Sequence, residues 1–362
     1  MSISSIKNLG SAWGKPFFTP VLILAQLFAA PAIACSFHVN LPELSVGDRI
    51  IQASHIVLAR EDRDKPFTFD PVISLKGDSE NLDIPLLVDS ATRRRLAANS
   101  GDFVLISKSS MDDKWHRLAY VRDQDQELFR DMVTAAKTWS GTQDTSSRFD
   151  FFAALHDHPQ TTLRKIALTE LDKIPYQHLR TMPVRLSAAH INNKLSSRYE
   201  IPWVPIRIIM LGILGDEESR AIIGKSIAYI ENSGFQSNLG AWATAYIEID
   251  GPDAVDKLTQ KFLLNGTTKS KSVEELLTAF SLHGSVDNPE LKLSIDANLE
   301  KMVATSPQMA VSIAKIFGAQ QDYSKSDLLL KTMKSGALRT PSELLVVASY
   351  LSLAQKSRQS TQ

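Results

Sequence analysis

The sequence predicts a mixed α+β chain, in which a small five-stranded β-barrel is followed by an α-helical solenoid. Three observations lead to this prediction. Short apolar runs with a two-residue alternation fill residues 36–122. From Glu127 onward, apolar residues recur at helical spacing instead. Turns that contain an aspartate then recur at positions 216, 250, 287 and 322, and this spacing is typical of stacked two-helix units.

The β-rich region is predicted to extend over residues 35–125. Five runs carry the strand pattern, at residues 55–59, 67–75, 84–88, 103–106 and 118–121. Five short strands in so few residues favour a closed barrel over an open sheet. Residues 91–99 break this pattern and are predicted to be helical.

This region resembles the netrin/TIMP-like (NTR-like) modules, which have an OB fold. The resemblance rests on Ala34-Cys35 and on the segments SHIVLARED, FTFDPVISLKGD and LDIPLLVD. It implies an OB-like barrel and a free amino terminus of the kind that coordinates zinc in that family. The chain departs from the family in having a single cysteine, so it lacks the Cys-x-Cys start and every later cysteine.

The helical region is predicted in three parts: a helix and linker at residues 126–147, helical repeats at 148–356, and a disordered tail at 357–362. The segment from Asp157 to Leu171 resembles HEAT-type repeats, with a turn aspartate followed by a Leu-Arg-x-x-Ala-x-x-x-Leu helix. The resemblance implies stacked helix pairs, and such stacks offer extended curved faces to protein or peptide partners.

Residues 1–34 are predicted to be a signal peptide. Lys7 and Lys15 precede an apolar segment at residues 17–30, and Ala32-Ile33-Ala34 supplies the small residues of a cleavage site. Two outcomes at Cys35 stay open. Plain secretion would leave the protein in the periplasm or outside the cell, whereas lipidation of Cys35 would anchor it to a membrane surface without spanning it.

A metal site is considered at the mature N-terminus, where the amine and thiol of Cys35 and the imidazole of His38 could chelate a divalent cation. Lipidation would block both the sulfur and the amine. His156-Asp157-His158 is a second arrangement of ligand types. Its two-residue spacing differs from the i, i+4 spacing of helical metal pairs, so a helix end with Asp157 as a cap is favoured.

Charge and motifs favour a binding role. The 40 basic and 40 acidic residues cancel, so the sequence lacks the basic excess of a nucleic-acid binder. The triplet Arg93-Arg94-Arg95 is interpreted as a solvated face. The predicted function is an exported, non-catalytic binding or scaffold protein of the cell envelope that recognises a protein or peptide. The alternative is a metal-dependent envelope enzyme, a hydrolase, or a metal-binding protein that uses the mature N-terminus.

Overall fold

The computed structural model describes residues 44–78, 82–139, 146–234, 236–265 and 268–360. These residues form a four-stranded antiparallel sheet and a larger set of helices, so the predicted mixed α+β class is confirmed. Within these ranges no helix is both long enough and apolar enough to cross a membrane.

The sheet contains four strands in the order β2-β1-β3-β4. The strands are β1 Ala53–Glu61, β2 Phe69–Lys76, β3 Phe103–Ser109 and β4 Trp115–Val121. The predicted five-stranded barrel is therefore replaced, among the described residues, by an open sheet whose edges are β2 and β4. The run at 84–88 forms only an isolated bridge, Thr68 to Leu87. Ile84 and Val88 are nevertheless buried, because they pack on the sheet from outside the ladder.

Helices cover both faces of this sheet. Helices α1 (Val46–Gln52) and α3 (Gln126–Trp139) pack on one face. Helix α2 (Ser90–Ala98), which is the helix predicted at 91–99, packs on the other face together with Ile84 and Val88. Successive β1 residues such as Ile56 and Val57 are consequently both buried. This explains why the strand is an apolar run rather than a strict alternation.

The remaining helices follow one another with short connections. They are α4 Ser146–Ala153, α5 Thr161–Leu171, α6 Tyr176–Leu179, α7 Ala188–Leu195, α8 Val204–Leu214, α9 Glu217–Ser233, α10 Leu239–Asp250, α11 Pro252–Leu258, α12 Ser270–Gly284, α13 Pro289–Thr305, α14 Met309–Ala319, α15 Ser326–Lys334 and α16 Pro341–Ser360. Helix α11 continues into a π-helical turn, Thr259–Leu263. Residues 357–360, expected in a disordered tail, form the last turn of α16.

The helices from α8 onward lie in two layers. In one layer α8, α10, α12, α14 and α16 contact each other in succession, and in the other α11 contacts α13. Gly212 permits the close approach of α8 to α10, because a Cβ atom there would lie 2.7 Å from the Cα atom of Ala245. The predicted turn aspartates lie one to four residues before the starts of α9, α11, α13 and α15. Asp216 caps α9 by accepting a hydrogen bond from the Ser219 amide at 2.7 Å.

The core does not divide at the predicted linker. One contiguous cluster of buried apolar residues extends from one face of the sheet through α3 and α5 to α14 and α16. Residues 140–145 of that linker lie outside the described part of the chain. One face of the sheet packs against the helices, and this packing joins the β-rich region to the helical region.

Candidate functional site

The predicted metal and lipidation residues, Cys35 and His38, lie outside the described residues, as does the whole predicted signal peptide. Both hypotheses about the mature N-terminus therefore stay predictions. Among the residues that the structure does describe, no three His, Cys, Asp or Glu side chains are grouped in a way that would hold a metal ion.

His156 and His158 hold the backbone around the start of α5. The fully buried His156 ring contacts the Ala153 carbonyl through Nδ1 at 2.6 Å and accepts from the Arg185 amide through Nε2 at 3.3 Å. His158 Nδ1 accepts from the Gln160 amide at 3.1 Å. The cap of α5 is Gln160 rather than Asp157, because the Gln160 side chain accepts from the Leu163 amide at 2.8 Å. This segment is therefore a structural turn.

The arginine triplet also supports the fold. Arg93 Nε bonds Glu61 at 2.9 Å, and its guanidinium lies 4.5 Å from the centroid of the Phe67 ring. The Arg95 guanidinium lies 3.5 Å from the Tyr120 ring centroid. Arg94 and Arg95 are exposed and Arg93 is half-buried, and the one hydrogen bond of Arg94 goes to the Ser90 carbonyl of its own helix.

A different surface carries an excess of positive charge. Residues 173–199 contain no Asp or Glu but five Lys and Arg residues, in a chain whose total charge is zero. Two of the five, Lys173 and Arg180, are paired with Asp48 and Glu248. The others have no ion-pair partner among the described residues. This acid-free stretch is visible in the sequence itself.

Four cations that form no ion pair with any described residue lie around α5, α7 and the loop at residues 196–203. We call them the basic surface; its members are Arg164, Lys165, Lys194 and Arg198. The positive potential acts on His190, whose pKa is lowered by partial desolvation and by the charges of Lys194, Arg207 and Arg164. Desolvation likewise lowers the pKa of Arg164, although that group stays protonated.

The loop at 196–203 presents two large apolar side chains beside the basic surface. Tyr199 is 68% exposed and Ile201 is 58% exposed. The guanidinium of Arg198 lies 4.9 Å from the Tyr199 ring centroid and donates to its hydroxyl at 2.8 Å. Lys165 Nζ donates to the Tyr199 carbonyl at 3.0 Å, which ties the loop to α5.

The other side of the loop is anchored in the core. Glu200 is buried and binds Nη2 of the fully buried Arg207 at 2.9 Å. Trp203 donates from Nε1 to the Thr169 hydroxyl at 2.9 Å, and Lys165 Nζ lies 4.5 Å from its ring centroid. Trp203 is therefore a packed connector on α5. Glu200 and Trp203 point into the protein, whereas Tyr199 and Ile201 point to solvent. The inward contacts fix the backbone of the loop.

A second polar cluster lies between α6, α10 and α12. Glu248 accepts from the Tyr176 hydroxyl at 2.5 Å and from Arg180 Nε at 2.8 Å, and it lies 3.9 Å from His283 Nδ1. The buried His283 donates from Nε2 to the Thr244 carbonyl at 3.0 Å, which assigns the proton of its neutral ring to Nε2. The members of this polar cluster are separated by up to 107 residues in the sequence, so no local pattern identifies it.

His283 is expected to make the stability fall with acidification. Burial lowers the pKa of His283 from 6.5 to about 4, against the opposing charge of Glu248. As the pH falls from 6.5 to 4, the unfolded chain takes up a proton that the folded chain does not. The free energy of unfolding should therefore decrease by about 3 kcal/mol over this window.

Urea unfolding at pH 7 and pH 4 measures this change, and the His283→Gln variant should lose that part of the difference. The same substitution at half-buried His116 of β4 is the control. An unchanged difference between the two pH values in His283→Gln would assign the acid sensitivity to other groups.

No family model, curated protein or solved structure matches this chain. The resemblances to NTR-like modules and HEAT-type repeats therefore rest on the sequence motifs alone. The features of this chain that bear on its function are the basic surface, the fixed loop at 196–203 and the helical layers.

Proposed function

We propose that this chain is an exported, non-catalytic binding protein of the cell envelope, which recognises a protein or peptide partner through the basic surface and the loop at 196–203. On this proposal the two helical layers form an α-solenoid of HEAT-like pairs. The recurrence of helix starts at Glu217, Pro252, Pro289 and Ser326 supports this view. The four-stranded sheet is compatible with an OB-like module.

The observation that carries the proposal is the fixed exposure of Tyr199 and Ile201. Large apolar side chains held out on a rigid backbone lose little conformational entropy when they bind. Tyrosine and arginine are also the residue types that contribute most often to the affinity of protein interfaces. Arg198 and Tyr199 provide both types in adjacent positions, and the buried pair of Glu200 with Arg207 anchors the backbone next to them.

The charge of the site selects the partner. The four cations form no ion pair within the described part of the chain, so they favour a protein segment whose acidic side chains flank an apolar one. Complementary charges accelerate encounter and exclude wrong partners. The apolar residue would contact Tyr199 and Ile201, and the carboxylates would pair with Lys165, Lys194 and Arg198. Such binding weakens as the salt concentration rises.

The partner can be identified by photo-crosslinking in the native host. A photo-reactive phenylalanine analogue replaces Tyr199 in the full chain, and the crosslinked protein is identified by mass spectrometry. The matched control carries the same analogue at Tyr229 on α9, which is 62% exposed and distant in sequence from the site. A partner specific to position 199 is expected.

The affinity for that partner is then measured with Tyr199→Ala and Arg198→Ala. Each variant should weaken binding at least about tenfold, which corresponds to about 1.4 kcal/mol. Tyr229→Ala should bind as the unchanged protein does. Equal crosslinking from both positions would contradict the proposal. Binding to anionic lipid vesicles that depends on Arg198, with no protein partner, would contradict it as well.

A further inference from the structure

A groove of about 380 Å³ lies between the π-helical turn after α11 and helix α13. Its walls are Asp256, Thr259, Gln260, Leu264, Asn298 and Lys301. The groove is separate in the sequence from the basic surface and from the loop at 196–203. Five of its six lining residues carry polar side chains. The charges of Asp256 and Lys301 cancel, so the groove has no net charge.

The π-helical turn changes the hydrogen bonding of the helix at the groove. The Leu264 amide donates to the Thr259 carbonyl, five residues earlier, at 3.0 Å. Single π turns within helices are frequent at functional sites, because they cost stability and so are retained where they position a group. Here the turn brings Thr259, Gln260 and Leu264 to one wall of the groove.

Thr259 is buried, yet none of the described residues forms a hydrogen bond with its hydroxyl. Other helical threonines of this chain donate to the carbonyl four residues earlier, as Thr244, Thr278 and Thr332 do at 2.8–2.9 Å. Buried hydroxyl groups are generally bonded, because an unpartnered one carries a desolvation cost. The Thr259 hydroxyl is thus an unused donor and acceptor in a residue that lines the groove.

The opposite wall holds Asn298 in a fixed orientation. This buried side chain donates from Nδ2 to Asp256 Oδ1 at 2.6 Å and to the Ser294 carbonyl at 2.8 Å. Both amide hydrogens are used, so Oδ1 is left as an acceptor. Lys301 Nζ lies 3.8 Å from Asp256 Oδ1, and both side chains are more than half exposed. Such a pair is weak, and both groups stay available to a ligand.

We propose that this groove binds an uncharged, polyhydroxylated molecule, and specifically a short glycan. Each sugar hydroxyl can donate and accept at once, which matches a wall of hydroxyl, carboxamide, carboxylate and ammonium groups. The balanced charge gives no preference for an anion. Leu264 supplies one apolar contact for the C–H face of a sugar ring.

The probe is an array of neutral and charged oligosaccharides of two to four units, applied to the mature chain. Neutral oligosaccharides are expected to bind, and their affinity is then measured by calorimetry. Thr259→Val has nearly the same shape but removes the hydroxyl, and it should weaken binding at least about tenfold. Without ligand its melting temperature should be unchanged or higher, because an unbonded buried hydroxyl is replaced by a methyl group.

Thr305→Val is the matched control. Thr305 lies on α13 outside the groove and makes the ordinary bond to the Lys301 carbonyl at 2.9 Å. The Thr305→Val variant should bind the glycan with the affinity of the unchanged protein. Failure of every neutral oligosaccharide to bind, selective binding of charged ones, or full affinity in Thr259→Val would each overturn the proposal.

Discussion

Replacing Glu170 with alanine is expected to lower the free energy of unfolding by about 3–5 kcal/mol. Glu170 is buried at the junction of α1, α4 and α5. Its Oε1 accepts from the Gly47 amide at 2.7 Å, and its Oε2 accepts from Arg148 Nε at 3.1 Å. Alanine would leave the half-buried guanidinium without its most buried partner, and it would leave the amide without an acceptor.

The network extends beyond this pair and fixes α1 to the helices. Arg148 also binds Asp48 at 2.7 Å, and Lys173 binds the other oxygen of Asp48 at 2.7 Å. Burial opposes ionisation of Asp48, but the bond from Lys173 and the charge of Arg148 hold its pKa well below the usual range. A Cβ atom at Gly47 would lie 2.9 Å from Glu170 Oε1, so the glycine leaves room for the carboxylate to approach the backbone this closely.

Urea unfolding of Glu170→Ala measures the loss. The control is Glu127→Ala, because Glu127 is 83% exposed and lies 3.9 Å from Arg130. This surface pair should contribute less than about 1 kcal/mol. A Glu170→Ala variant within about 1 kcal/mol of the unchanged protein would show that packing alone joins α1 to α5.

The helical part of the fold could be predicted because its signals are local. Apolar residues at helical spacing predict the helices, and the turn aspartates mark the turns that precede α9, α11, α13 and α15. Asp216 illustrates this directly, since it is both the residue that marked the turn and the cap of α9. Helix starts depend on a few neighbouring residues, which a single sequence contains.

A closed five-stranded barrel is not seen among the described residues. An apolar run does not reveal its hydrogen-bond partners. Ile84 and Val88 are buried as a strand would require, yet they cover the sheet from outside its ladder. An extended segment beside a sheet and a strand within it bury the same side chains. Periodicity therefore cannot separate these two arrangements.

The candidate sites depend on contacts that the sequence does not encode locally. Glu248 bonds Tyr176 from 72 residues away, and Asn298 bonds Asp256 from 42 residues away. The acid-free stretch at 173–199 was an available signal for the basic surface. The exposure of Tyr199 and Ile201 could not be predicted from the sequence, because Glu200 and Trp203 in the same loop point inward.

Glu200→Ala is expected to lower the free energy of unfolding by about 3–5 kcal/mol as well. Arg207 is fully buried, and Glu200 is its ion-pair partner at 2.9 Å. Arg207 Nε and Nη1 have no hydrogen-bond partner among the described residues, so removal of Glu200 would leave the whole guanidinium unbonded. An arginine cannot escape this cost by losing its proton. Urea unfolding measures the change.

A double variant separates the electrostatic role of this pair from its positioning role. In Glu200→Leu with Arg207→Met both charges are replaced by apolar groups, which for buried pairs is often neutral or stabilising. We expect it to recover most of the stability lost in Glu200→Ala. It should still bind the partner more weakly than the unchanged protein, because the bond that fixes the loop beneath Tyr199 is missing.

Full stability together with full affinity would show that packing of Trp203 alone positions the loop. A double variant no more stable than Glu200→Ala would show instead that the loss comes from packing around residue 200 and not from the unpaired charge.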